Sequence, residues 1–228
     1  MEELINKNNQ LFKEVVETLP HIQQSIDDTT KNYQYYVGSI KKKKKQDGEK
    51  IQRMRVIEQM QQLEEWTERR INNILFDSDI DDWNKNTSVF DQRIMNKEHI
   101  IIIIEDEEGN KFGGYVNSKI DKINDYINDS KSFVFSLESK GRIEGMKKFD
   151  IKQPQNAFYL YNQTTDCLFA FGFGGGCDIC VFKENNKTKS HCDPWSFEYK
   201  GISNALCGKL GSECFIPKRI IAIEMIQS

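Results

Sequence analysis

Cys177-Asp178-Ile179-Cys180 places two thiols at the spacing of a zinc half-site or a thiol oxidoreductase. A shared metal needs both sulfurs on one side of the backbone. If Cys177–Phe182 is extended, residues three apart point to opposite faces of a sheet and the sulfurs cannot meet. A thioredoxin-type site also wants its first cysteine at a helix start, whereas Ile179-Cys180-Val181-Phe182 is β-branched and aromatic. His191-Cys192 with Cys207 or Cys214 offers further ligands, at a spacing that matches no common zinc pattern. No metal, cofactor or catalytic thiol exchange is therefore expected. Sacrificial oxidation of exposed thiols is the milder alternative.

Just upstream, Gly172, Gly174, Gly175 and Gly176 raise the question of a phosphate cradle. The dinucleotide fingerprint needs a third glycine where Cys177 stands, and a helix after it where the residues favour a strand. No Gly-Lys-Ser/Thr occurs, which removes a P-loop. The glycines are better read as a crowded corner joining two buried strands, Leu168–Phe171 and Ile179–Phe182. Acid–base chemistry is thinly provisioned, with three histidines, His21, His99 and His191, and no nucleophile elbow. Glu105–Glu108 reads as a solvated hairpin turn, or as a docking surface for a basic partner. No enzyme is expected.

The last chemical feature is the run Lys41, Lys42, Lys43, Lys44 and Lys45, extended along the next helix by Arg53 and Arg55. Like charges in sequence repel, so a solvated loop between helices is expected. The competing readings are a nuclear-localisation signal, contact with nucleic acid, or attraction to an anionic membrane face. No helix-turn-helix or zinc-finger signature accompanies the run.

The elements that position these residues divide the chain in two. In residues 1–72, Leu4, Ile5, Leu11, Phe12, Val15, Val16 and Leu19 line one helical face, and Pro20 interrupts or kinks that helix. Ile22, Ile26, Tyr33, Tyr36 and Val37 mark a second helix, broken by Gly38 and the lysines. A third, with Val56, Met60, Leu63, Trp66 and Ile71, is expected from about Glu49 to Asn73. Several spacings alternate three and four, which suits a coiled coil or helical hairpin and self-association through residues 1–72; an amphipathic helix docked on its own domain explains them as well.

Residues 73–228 read as short strands. Ile100–Ile104 is an unbroken run suited to burial on both faces. Phe112–Val116 returns from it across Gly109-Asn110. Phe133–Leu137, Ala157–Tyr161 paired with Leu168–Phe171, Ile179–Phe182, Phe197–Tyr199 and Ile220–Ile226 complete the set, with helices expected at Ser88–Ile94 and Lys119–Tyr126. Many strands with few helices argue for packed sheets with peripheral helices.

At 228 residues, 38% hydrophobic and 29% charged, the chain has the composition of a globular protein. A net charge of −3 gives no global attraction to nucleic acid or acidic membrane. Met1–Gln10 is polar and acidic, unlike a secretory leader, and no apolar run approaches the length of a membrane span. A cytoplasmic or nuclear location is expected, with the six cysteines as thiols.

Phe112-Gly113-Gly114-Tyr115, Ser132–Leu137, Phe173-Gly174-Gly175-Gly176-x-Asp178-Ile179 and a closing Ile-Ala-Ile-Glu-Met-Ile occur in order. Together they resemble the TLDc domain, the module of oxidation-resistance proteins, over roughly Asn73–Ser228. The resemblance implies an α+β fold: a two-sheet antiparallel β-sandwich flanked by short helices, here preceded by N-terminal helices. It implies protection from oxidative stress and, in several members, binding to the vacuolar proton-pumping ATPase, with no established catalytic centre. By position, Asp106, Gly113, Gly114, Gly174, Gly175, Gly176 and Asp178 match places that matter for the fold or for partner binding. The chain departs from the pattern at Asn128-Asp129-Ser130-Lys131, where many relatives carry a glycine-bearing turn ending in glutamate.

Overall fold

The computed structural model describes residues 1–202, 204–209 and 213–227. These form two compact units, Met1–Ile57 and Glu58–Ser228. The first unit is helix throughout, as part of α1 (Glu2–Thr67). The expected breaks at Gly38 and the lysine run are absent, because each costs little against the turns on either side, and Pro20, expected to interrupt or kink the helix, does not interrupt it. Pro20 forfeits one hydrogen bond, at about 3 kcal/mol, and each glycine costs about 1 kcal/mol relative to alanine. The five lysines contain one i,i+4 and two i,i+3 pairs, each worth a few tenths of a kcal/mol of repulsion, and lysine is itself a good helix former.

α1 ends at Thr67, short of the expected Asn73. The Thr67 hydroxyl donates to the Leu63 carbonyl at 2.8 Å, and Glu68 turns left-handed with φ 55°, closing the helix. The chain then enters β1 (Arg69–Asp77), whose first residues replace the expected last turn of the helix. β1 pairs with the C-terminal strand through register shifts at Ile71/Asn73 and Ile74/Phe76. Such bulges erase the period-2 alternation by which a strand announces itself. The expected division at 72/73 thus falls inside β1.

The strands that follow are β2 (Ile100–Asp106), β3 (Lys111–Val116), β4 (Tyr126–Ile127), β5 (Phe133–Glu138), β6 (Lys147–Asp150), β7 (Phe158–Leu160), β8 (Cys167–Phe171), β9 (Ile179–Phe182) and β10 (Pro217–Gln227). They build a six-stranded sheet in the order β1-β10-β2-β3-β5-β6 and a four-stranded sheet in the order β4-β7-β8-β9. Every pairing is antiparallel. The α+β sandwich expected from the resemblance is therefore the fold.

The central strand explains its own composition. Ile100, Ile102 and Ile104 of β2 point between the sheets, against Phe158, Phe169 and Phe171 of the smaller one. Ile101 and Ile103 point the other way, into a second cluster with Phe135, Met225 and Leu63, the last from the end of α1. Both faces of Ile100–Ile104 are covered, so each of these five positions favours an apolar residue.

Three expected elements differ. The helix at Ser88–Ile94 shortens to α2 (Phe90–Ile94). Lys119–Tyr126 forms no helix: the Ile120 amide and carbonyl pair with Lys97 and Asn96, at 2.8 and 2.7 Å. Phe197–Tyr199 contributes one isolated bridge, Ile151 with Phe197, in place of a strand. β6 (Lys147–Asp150) went unanticipated, because only Phe149 among its four residues is buried.

Candidate functional site

The glycine corner joins β8 to β9, which pair from Phe171↔Ile179 outward. Gly172 carries φ 70°, and a side chain there would collide with the Asp178 carboxylate. A Cβ on Gly174 would strike the Trp195 indole, and one on Gly176 the Asp193 carboxylate; one on Gly175 would lie 3.0 Å from the same indole. The corner is crowded, as its composition implies, and what crowds it is the segment 193–196 laid across it.

Asp178 holds that segment in place. Its carboxylate, fully buried, accepts the backbone N–H of Trp195 at 2.9 Å, of Ser196 at 2.8 Å and of Phe197 at 3.3 Å. This accounts for the missing strand at Phe197: amides that would feed a ladder are spent on a side chain. Burial pushes the Asp178 pKa up, and the three amides oppose it. The Ser196 hydroxyl donates to the Phe173 carbonyl at 3.0 Å, pinning the other side of the corner.

The motif Phe112-Gly113-Gly114-Tyr115 does its work elsewhere in the sandwich. A Cβ on Gly113 would enter the Ile102 carbonyl of the neighbouring strand, and one on Gly114 would enter the Phe171 ring of the facing sheet. Gly114 thus lets the two sheets approach at their centre. Asp106, buried at the end of β2, accepts the Asn110 N–H at 2.8 Å and its side-chain amide at 2.7 Å. Arg142 donates to the Asn110 side-chain carbonyl at 2.7 Å and to the Leu206 carbonyl at 2.8 Å, so the β2–β3 turn is clamped to residues 204–207. Asp129, in the turn that departs from the family pattern, is buried and accepts the N–H groups of Asn117, Ser118 and Lys131.

The thiols are closer together than alternation along a strand allows. Cys177 precedes β9 and lies in the corner, so the opposite-faces argument fails for it. The Cys180 thiol neighbours both Cys167 and Cys177, and as a shared proton donor it holds their thiols below the usual range while its own is pushed far above it. Cys192, deeply buried, is pushed up by desolvation and lies against Cys207. Among the described residues, no group of three or more His, Cys, Asp or Glu is arranged to hold a metal ion.

A row of aromatic rings that no motif announces runs beside these thiols: Tyr161 to Tyr159 at 4.4 Å, Tyr159 to Tyr126 at 4.9 Å, and Tyr126 to Phe173 at 5.4 Å. Burial raises the phenols, Tyr126 to about 12. The signal was present in the alternation Phe158-Tyr159-Leu160-Tyr161, with Tyr159 at the outward position of β7 and Tyr161 just beyond its end. At the end of the row Phe173 and Trp195 remain 46% and 48% exposed. A separate cleft of about 640 Å³ gathers Arg69, Lys131 and Lys148 around Trp66, Tyr115 and Phe133, with the Lys148 ammonium 5.1 Å from the Phe133 ring centre.

The remaining expected site residues lie on α1. Lys41–Lys45, Arg53 and Arg55 are all exposed, and the run belongs to the helix, not to a loop. No helix among the described residues is long and apolar enough to cross a membrane. A family model described as TLDc domain matches residues 45–210. A search of curated proteins found no match.

Proposed function

The chain belongs to the TLDc domain family, and from that membership we propose that it is a non-catalytic protein-interaction module linked to the oxidative-stress response. The observation that carries the reading is the division of labour at the glycine corner. Asp178, Ser196 and the glycines are consumed by the architecture, while Phe173 and Trp195 stand half exposed on that rigid frame. Aromatic side chains fixed by their surroundings are the anchors of protein interfaces, because little conformational entropy is lost when they dock.

The test pairs Phe173→Ala with Trp195→Ala in the full chain. Binding to purified vacuolar proton-pumping ATPase and protection of cells against peroxide are measured beside thermal unfolding. The expected result is lost binding and lost protection with the unfolding midpoint retained. Peroxide consumption that turns over, beyond one equivalent per thiol, would overturn the non-catalytic assignment.

A second reading is a nucleic-acid-binding regulator. It draws on one observation: Lys41–Lys45, Arg53 and Arg55 take part in none of the ion pairs found among the described residues. Replacing the five lysines with glutamine should then abolish a salt-sensitive gel shift. An unchanged shift removes this reading.

A further inference from the structure

Within the helical unit Met1–Ile57, the apolar residues follow a seven-residue register. Ile5, Phe12, Leu19, Ile26, Tyr33 and Ile40 recur every seventh residue, and Val15, Ile22 and Tyr36 stand three places after three of them. In heptad notation these are positions a and d, the seam along which supercoiled helices meet. All nine are between 54% and 71% exposed. A straight helix drifts about 20° per heptad against such a repeat, so a pattern kept in phase over five heptads implies a partner that the helix winds around.

The charges say which partner. Between Leu4 and Ile40 the charged residues are Lys7, Lys13, Glu14, Glu17, Asp27, Asp28 and Lys31, and every one falls at b, c or f, away from the seam. The flanking e and g positions from Asn9 to Ser39 hold no charge at all. Selection of a different helix works through complementary e and g charges, which are missing here, while an identical helix meets neither repulsion nor mismatch of period or length. Pro20 occupies a b position, where its ring faces away from the seam. The register also has a built-in end: the next d position after Tyr36 is Lys43, and the next a after Ile40 is Asp47. The seam therefore runs from Ile5 to Ile40, about 54 Å at about 1.5 Å per residue.

We infer that this helix is a self-association device, whose exposed seam is covered by the same seam of further copies of the chain. Leu at a and Ile at d favour assemblies of more than two helices, and Leu19 with Ile22 is such a layer. The inference stands apart from the family reading, which concerns the sandwich.

The experiment uses the full chain, with mass measured by light scattering or sedimentation over a wide dilution series. The wild type should show at least twice the 26.7 kDa of one chain, dissociating on dilution. Leu19→Lys with Ile26→Lys should be monomeric, while Glu17→Lys, at an f position, should keep the wild-type mass. Leu19→Ala with Ile26→Ala keeps helix propensity high and separates loss of the seam from melting of the helix, with helicity followed by circular dichroism. A monomeric wild type across the series overturns the inference, as does a seam variant with wild-type mass. So does a monomer whose sandwich unfolds more easily in the seam variants, since the helix would then be docking on its own chain.

Discussion

Replacing Gly113 with alanine would drive a methyl group into the Ile102 carbonyl of the adjacent strand, which no rotamer can relieve. Gly113→Ala should cost about 3 kcal/mol or more, read as a fall in the urea midpoint. A Cβ at Gly175 would lie 3.0 Å from the Trp195 ring, a contact relieved by a shift of about a few tenths of an ångström, so Gly175→Ala should cost less than about 1 kcal/mol. Equal midpoints for the two variants would sink this ranking. Thiol reactivity follows the same local logic. Cys180, as their shared proton donor, holds Cys167 and Cys177 low, and both are half-buried, whereas Cys180 and Cys192 are buried and pushed up. Brief alkylation of the folded protein, mapped by mass spectrometry, should mark Cys167 and Cys177 well before Cys180 and Cys192. Early labelling of Cys180 would contradict the arrangement.

Pairing between β1 and β10 has an electrostatic clasp at one end. Arg219 donates to both oxygens of Asp77, at 3.0 and 2.5 Å, and also meets Asp79 at 3.0 Å. The Arg219 guanidinium is the chief reason that the Asp77 pKa lies below its usual value. A depressed carboxyl pKa stabilises the fold fully above the unfolded value of about 4 and progressively less as pH falls through the folded one. Arg219→Gln should therefore lose about 1 kcal/mol at neutral pH, discounted for the partial exposure of the arginine. That deficit should shrink below about pH 4, as followed by urea midpoints at successive pH values. A deficit that grows on acidification would reverse the assigned sign. Elements of this kind were unevenly legible in the sequence. Ile100–Ile104 was plain because both faces of β2 are covered. β1 was hidden by its bulges, β6 by having one buried residue, and the Phe197 segment because a distant carboxylate captured its amides. At the corner, the glycines signalled that something must pass close. That it would be Trp195 and Asp193 was not legible, since the contact joins residues about 20 apart through the buried Asp178.

For the molecule as a whole, the sandwich begins before its first strand. Leu63 is fully buried against the outer face of the large sheet, with Met60 and Trp66 beside it. A chain beginning at Glu58 should fold cooperatively in urea. One beginning at Asn73 loses that cover together with half of β1, exposes the cluster around Ile101 and Phe135, and should fail to give a cooperative transition. A cooperative 73–228 fragment would show that α1 is dispensable to the sheet. The two outermost strands of that sheet carry one more consequence. β1 is doubly bulged, and β6 presents Lys147 and Lys148. Neither offers the long, flat row of unpaired amides that templates polymerisation, so concentrated or aged preparations should fail by amorphous clumping and leave amyloid dyes dark.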